Sequence, residues 1–252
     1  MNFFELVEAF VYIFIGLPMC ILFGILVHES GHLLFGMING FKFHMLVIGP
    51  IGVRRVDGKI KVYYESNKSY WGGISLTLPT NDDDNNIDIF TKILIAGPLF
   101  SFIVGMSIII TSIIFKSFIV AILGITVLSF FVSTILPSET QMFYTDGMRY
   151  RILKKKDIYS FEEYAILRIT FNIVVHNSYL YVNLSDINTL KKSDKTKNRY
   201  LGTCYEYLMC KDKGDDGAAQ IAFNELKELE KYVPAKFVEV MMPGNMSTKE
   251  IT

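Results

Sequence analysis

Cysteine is nearly absent from this chain and its charge is balanced, and each scarcity removes a class of function. The three cysteines, Cys20, Cys204 and Cys210, are odd in number and show no Cys-x-x-Cys spacing. Neither a disulfide framework nor a zinc ribbon follows from them. Lys and Arg number 25, against 25 Asp and Glu, so the total charge points to no partner and only its distribution is informative. Charge is missing altogether from three long stretches, Ala9 to Val27, Ile93 to Phe115 and Ser117 to Leu136. Each meets the roughly 20 apolar residues that a ~30 Å hydrocarbon layer requires of a helix.

What the chain has in place of charge is apolar bulk. Half of its 252 residues are hydrophobic, 20 of them Phe, and the mean hydropathy is +0.33. A polytopic membrane protein is the expectation. The residues ahead of the first stretch, MNFFELVE, hold Glu5 and Glu8 and no Lys or Arg. A signal peptide needs the opposite, so the first span is expected to be retained. Lys42, Arg54, Arg55, Lys59, Lys61, Lys68 and Lys92 lie between the first two spans, and Arg149, Arg151, Lys154, Lys155 and Lys156 follow the third. The turn between spans two and three offers only Lys116. The positive-inside rule then places the large loop and the C-terminal part in the cytoplasm.

Between spans one and two the pattern changes period. FHMLVIGPIGVRRVDGKIKVYYE carries β-branched runs broken by Gly49-Pro50 and Asp57-Gly58, a hairpin or small sheet at the membrane face. Asn81 to Asn86, NDDDNN, reads as a solvated loop. After Asp146 the chain is charged. Glu163 to Leu184 is interrupted by Arg168, Asn172 and His176 at four-residue spacing, which favours an amphipathic helix over a fourth span. Leu190 to Asn198 reads as a linker, Arg199 to Lys211 and Asp216 to Tyr232 as helices around a KGDDG turn, and MMPGNMSTKEIT as a loose tail.

Against this background FGILVHESGHLLFG, Phe23 to Gly36, is out of place. On a helix, residues four apart share a face, so His28 and His32 project together and can chelate one metal, with Glu29 able to reach a water on it. Ionisable groups at membrane depth cost at least ~2.5–3.5 kcal/mol, which marks them as functional. Two imidazoles and one carboxylate suit zinc with an open fourth position. His44, Glu139, Asp146, Asp157 and His176 are all candidates for the third ligand, and spacing does not rank them. A proton or metal conductor is disfavoured, because spans two and three offer hydroxyls such as Ser107, Thr111, Thr126 and Ser129 but no acid.

HESGH at the inner end of a membrane helix is followed by WGGISL (Trp71 to Leu76), AGPLFS (Ala96 to Ser101) and LPSETQMFYTDGMR (Leu136 to Arg149). In this order the motifs resemble the site-2 protease family of intramembrane zinc metalloproteases, over roughly residues 9 to 153. The resemblance implies a small bacterial-type member without a PDZ domain, integral to the cell membrane, holding one Zn2+ on His28, His32 and Asp146, with Glu29 as catalytic base. It implies further that Gly72, Gly73, Gly97, Pro98 and Ser101 contact the substrate, a membrane-spanning protein or peptide precursor. Three departures stand out, the first being that Thr134 or Ser133 replaces the Asn that the family usually places before Asp-Gly. Ser101 replaces the Asn of the family's Gly-Pro-x-x-Asn, and the interval from Pro137 to Asp146 is longer than usual.

The expected architecture is a mainly α polytopic membrane protein. Residues 1–153 form a metalloprotease core with three transmembrane helices (about 9–38, 93–115 and 117–136) and a β region at 41–80. Residues 154–252 form a helical cytoplasmic region. The expected function is hydrolysis of a peptide bond in or near a membrane-spanning segment, with the lipid bilayer as partner and no nucleic acid. The alternative is a catalytically inactive metal-binding membrane protein that serves peptide export as an immunity or accessory factor.

Overall fold

A computed structural model gives the fold, and it describes residues 10–56, 58–81, 83, 85–139 and 144–241. Among these the helices α1 (Tyr12–Ile38), α2 (Asn86–Phe115) and α3 (Phe118–Ile135) are long and apolar enough to cross a membrane. The second begins seven residues before the uncharged run, because Asp88 and Lys92 are carried in its first turns. Glu5 and Glu8, Asp57, and the tail beyond Met241 lie outside the described residues, as do Asp82 and Asp84 of the polar loop.

The end of α1 is written in three residues. Gly40 takes φ +87, Phe41 N–H reaches Gly36 O at 3.0 Å and Gly40 N–H reaches Met37 O at 3.1 Å. This is the Schellman geometry, which ends a helix at a residue free to be left-handed and redirects the chain. Strand β1 (Lys42–Ile48) starts at once. It is followed by β2 (Ile51–Val56), β3 (Lys59–Tyr64) and β4 (Ile74–Leu78).

The four strands form one antiparallel sheet in the order β3-β2-β1-β4. The hairpin of the sequence reading is therefore joined by a further strand, drawn from WGGISL, which occupies an edge. Thr77 and Ser75 of β4 both face α1. The Cβ that Gly36 lacks would lie 2.4 Å from the Thr77 hydroxyl, and one on Gly73 would lie 2.6 Å from Glu29 and 2.8 Å from Ile25.

The three apolar helices meet through small residues. A Cβ on Gly31 would lie 2.7 Å from Ala96 O and 2.9 Å from Gly97 Cα, so α1 and α2 cross backbone to backbone. Gly24 is closed by Phe130, Gly105 by Leu128 and Gly124 by Ile109. Lys116, left-handed at φ 51, and the cap residue Ser117 turn α2 into α3.

The chain divides into two compact units, one of Met1–Ser138 with Thr145–Tyr150, the other of Glu139–Tyr144 with Arg151–Thr252. Helix α4 (Asp146–Lys155) belongs in part to each. The second unit is helical, with α5 (Ile158–His176), α6 (Leu184–Lys191), α7 (Thr196–Lys213), α8 (Asp216–Glu230) and α9 (Ala235–Met241). α5 is not among the apolar spans, as its polar stripe implies. Arg168 pairs with the buried Asp186, and Glu162 and Glu163 are buried. The expected linker at 190–198 is mostly helical, because Asn183 caps α6 and α7 starts at Thr196. Tyr200, Leu208, Leu226 and Phe237 anchor the core of this unit.

The α1–α2 crossing yields a stability prediction. Gly31→Val forces a branched side chain against immovable backbone and is expected to destabilise the protein by about 1–3 kcal/mol, as overpacked cores do. Gly72→Val, where nothing lies within 4 Å of the absent Cβ, is expected to unfold near the parent temperature. Thermal unfolding in detergent measures both.

Candidate metal centre and general base

The site lies where α1, α2 and the start of α4 meet. His28 and His32 are one helical turn apart on α1 and both are buried. Asp146 is the first residue of α4. His28 Nε2 lies 3.2 Å from His32 Nε2, Asp146 Oδ2 lies 3.1 Å from His28 Nε2, and it lies 3.4 Å from His32 Nε2. No other group of three His, Cys, Asp or Glu among the described residues is placed to hold a metal ion.

The outward nitrogens are held as well. His32 Nδ1 lies 2.7 Å from Ile93 O. A carbonyl can only accept, so Nδ1 carries the hydrogen and Nε2 presents a lone pair to the cluster. Ser101, fully buried, gives His28 Nδ1 a partner at 3.3 Å. Both imidazoles thus aim Nε2 at one point. Pro98, inside α2, lacks the N–H that would bond Leu94 O, which loosens the helix ladder in the turn that carries the Ile93 carbonyl. Gly97 makes the room: a Cβ there would lie 2.2 Å from His32 Nε2.

Glu29 is buried beside the histidines. Ser75 of β4 donates to its Oε2 at 2.5 Å. Gly73, at φ +108, brings backbone so near the other oxygen that a Cβ would lie 2.6 Å from Oε1. Only glycine adopts that conformation and clearance together. Ser75 therefore holds one carboxylate oxygen, and the missing side chain of Gly73 leaves the other clear.

The start of α4 is equally confined, for a Cβ on Gly147 would meet Ile135 O at 1.9 Å. The Asp-Gly pair puts the acid at the cluster and leaves its neighbour bare against the end of α3.

The other candidate ligands have different partners. Glu139 pairs with Lys197 at 3.1 Å. Asp157 caps α5 in a reciprocal capping box with Ser160. His176 stacks on Tyr181 with centroids 4.1 Å apart. His44 lies on β1, where burial and the nearby Arg55 charge lower its pKa. Of the residues the resemblance assigns to substrate, Gly97 and Ser101 contact the histidines, Gly73 contacts Glu29, and Gly72 borders open space.

Sequence reasoning passed over Ser75 and Thr145. Ser75 lay in the quoted WGGISL, but its facing toward α1 required β4 to be recognised as a strand.

Comparison with known families agrees with this geometry. A family model described as Peptidase family M50 matches residues 17–250. The chain belongs to peptidase family M50, the site-2 protease family. The match spans both units. A search of curated proteins and one of solved structures find no significant match. M50 membership implies an intramembrane peptidase, and M50 enzymes are zinc metalloproteases. The His28, His32 and Asp146 group is compatible with a bound metal. Together with the three apolar helices, M50 membership indicates an integral membrane protein.

The space left by Gly97 generates a test. Gly97→Ala is expected to displace the His32 ring and lower metal affinity about 10–100-fold, the usual cost of disturbing what supports a ligand. Chelator competition on the purified protein measures it.

Proposed function

We propose that the chain is a zinc-dependent intramembrane endopeptidase, with His28, His32 and Asp146 as the protein ligands and Glu29 as general base. One observation carries the reading: three electron-rich atoms face one another at 3.1, 3.2 and 3.4 Å. Hydrogens can bridge such atoms in pairs, and a cation at their centre engages all three lone pairs at once. Ligands ~2.0–2.1 Å from a tetrahedral zinc are ~3.3 Å apart, so the donor set fits the ion in chemistry and in span.

Zinc bound there supplies Lewis acidity toward the scissile carbonyl and acidifies a coordinated water. The chain supplies the rest. Glu29 accepts the proton of the attacking water and returns it to the leaving amine. Ser75 occupies Oε2, so the proton is carried on Oε1, the oxygen that Gly73 keeps uncovered. Ile93 O fixes the tautomer of His32, Ser101 holds the ring of His28, and Gly97 clears the ring of His32.

A helical substrate has its carbonyls locked in its own hydrogen bonds and must unwind to be cut. Among the described residues β4 has a partner only on its β1 side. An unwound segment can add there as a further strand, its backbone bonded to β4 beside Glu29 and its chain passing the open side of Gly72. The substrate class is a membrane-spanning protein or peptide. The basic residues of the sheet region and of the start of α4 support a cytoplasmic location for both. An inactive accessory factor would have no use for the bond from Ser75 to Glu29 or for the clearance Gly73 leaves beside it, and that arrangement favours the enzyme.

Purified in detergent, the protein is expected to hold about one zinc by elemental analysis, lost in His28→Ala and in His32→Ala. Asp146→Asn is expected to lower zinc content and cleavage far more than Glu139→Gln does. The opposite ranking would move the third ligand to Glu139.

Glu29→Gln is expected to keep zinc and fold while its cleavage of a single-span substrate, followed by mass spectrometry, falls by at least about 10²–10⁴-fold. Substantial turnover by that variant would sink the assignment of the base.

A further inference from the structure

We infer that Thr145 is a positioning residue for the third metal ligand, its one hydroxyl tying the end of α3 to the first turn of α4 so that Asp146 is aimed at His28 and His32. The inference rests on the metal reading above and adds a residue to it.

A threonine hydroxyl offers one donor and two acceptor positions. Here all three are used. Oγ1 donates to Leu136 O at 2.8 Å, with Ser138 O at 3.2 Å as a second acceptor. It accepts from Ser138 N–H at 3.0 Å and from Met148 N–H at 3.4 Å. The last of these is a helix N-cap, the side-chain oxygen of the residue before the helix receiving the third amide inside it. Thr145 N–H bonds Ser138 O at 3.0 Å as well. One oxygen atom therefore joins the strand-like exit from α3 to the start of α4.

Asp146 lies between this knot and Gly147, whose backbone is pressed on Ile135 O. Its backbone is fixed on both sides, and only two side-chain torsions remain to place Oδ2. Thr145 is β-branched, which restricts its own rotamers. Pro137, between Leu136 and Ser138, fixes a φ angle in the partner segment. The longer interval from Pro137 to Asp146 would by itself loosen the ligand. Thr145 offsets that by bonding across the base of the interval, between residues 136–138 and 145–148. Its hydroxyl touches none of the proposed ligands, so its influence on the metal passes through the backbone of Asp146.

The test uses the full-length protein in detergent, zinc alone as probe, and two readouts: affinity from chelator competition and unfolding temperature of the zinc-free form. Thr145→Val keeps the branched shape and deletes every hydroxyl bond. It is expected to lower zinc affinity about 10–100-fold. Thr145→Ser keeps the hydroxyl and is expected to stay near the parent. Ser138→Pro removes the N–H that Thr145 accepts and keeps the Ser138 carbonyl, at the expense of a fixed φ at 138. It gives a smaller loss in the same direction and serves if Thr145→Val does not fold. A merely structural role would lower the zinc-free unfolding temperature and leave the affinity of the folded protein unchanged. Parent affinity in Thr145→Val, with zinc lost in Asp146→Asn, overturns the positioning role and leaves the metal site standing. Parent affinity in both His28→Ala and Asp146→Asn overturns the metal reading and this inference with it.

Discussion

Three lone-pair atoms, two imidazole nitrogens and one carboxylate oxygen, converge to within 3.1–3.4 Å of one another, and the rest of the site is arranged to hold them there. Their mutual repulsion is a cost unless a proton or a metal cation is shared among them. In a poorly screened interior that cost is larger than in water, because the attraction and repulsion of charge both grow as the dielectric falls. Each donor is braced by a neighbour: His32 by Ile93 O, His28 by Ser101, and Asp146 by its place in the first turn of α4. Two donors share one helix face, which fixes their spacing. The third comes from 118 residues away in sequence, and its position has to be built.

Small residues do much of that building. Gly31 lets α2 approach α1, Gly97 opens a place for the His32 ring, and Gly147 lets α4 begin against the last carbonyl of α3. Without water, helices in a membrane associate through close packing and polar contacts rather than hydrophobic burial. The same glycines that allow the packing therefore also create the room for polar side chains at its centre. Where α2 meets α1, one turn supplies a carbonyl for His32, and Ser101, one turn beyond Gly97, supplies a hydroxyl for His28. The serine that stands where the family's Asn is usual still meets the imidazole.

The spans and the His28, Glu29 and His32 face were legible because both rest on local periodicity: uncharged length for the first, a spacing of four for the second. Asp146 was legible only through resemblance. From residue types alone it competed with Glu139, and the difference between them is that one starts a helix under the histidines while the other pairs with Lys197. Such choices are made by tertiary contacts, which spacing does not encode. β4 was missed because five residues next to two glycines give a weak strand signal, and with it the contact from Ser75 to Glu29 was missed. Thr145 went unread for a related reason. A lone threonine before Asp-Gly signals a helix cap at most, and its bonds to Leu136 and Ser138 exist only once the chain has returned to the end of α3. The start of α2 at Asn86 and the short helix α6 escaped a reading that weighted hydropathy over capping residues.

A peptidase at membrane depth must expose a peptide bond that its substrate hides, and the sheet lies beside the carboxylate proposed as the base. β4 packs on α1 through Thr77 at Gly36 and through Ser75 at Glu29, with Gly73 close by, so the strand is tied to the proposed base. A segment added to that strand is aligned by backbone bonds, which are indifferent to side chains, while the position of the base relative to the strand is already set. Productive geometry then requires no separate movement of Glu29. Pre-arranged alignment of this kind lowers a barrier by removing orientational freedom before the reaction begins. The hydroxyl of Ser75 is where the two tasks meet, since it belongs to the strand that would receive the substrate and touches the carboxylate that would receive the proton.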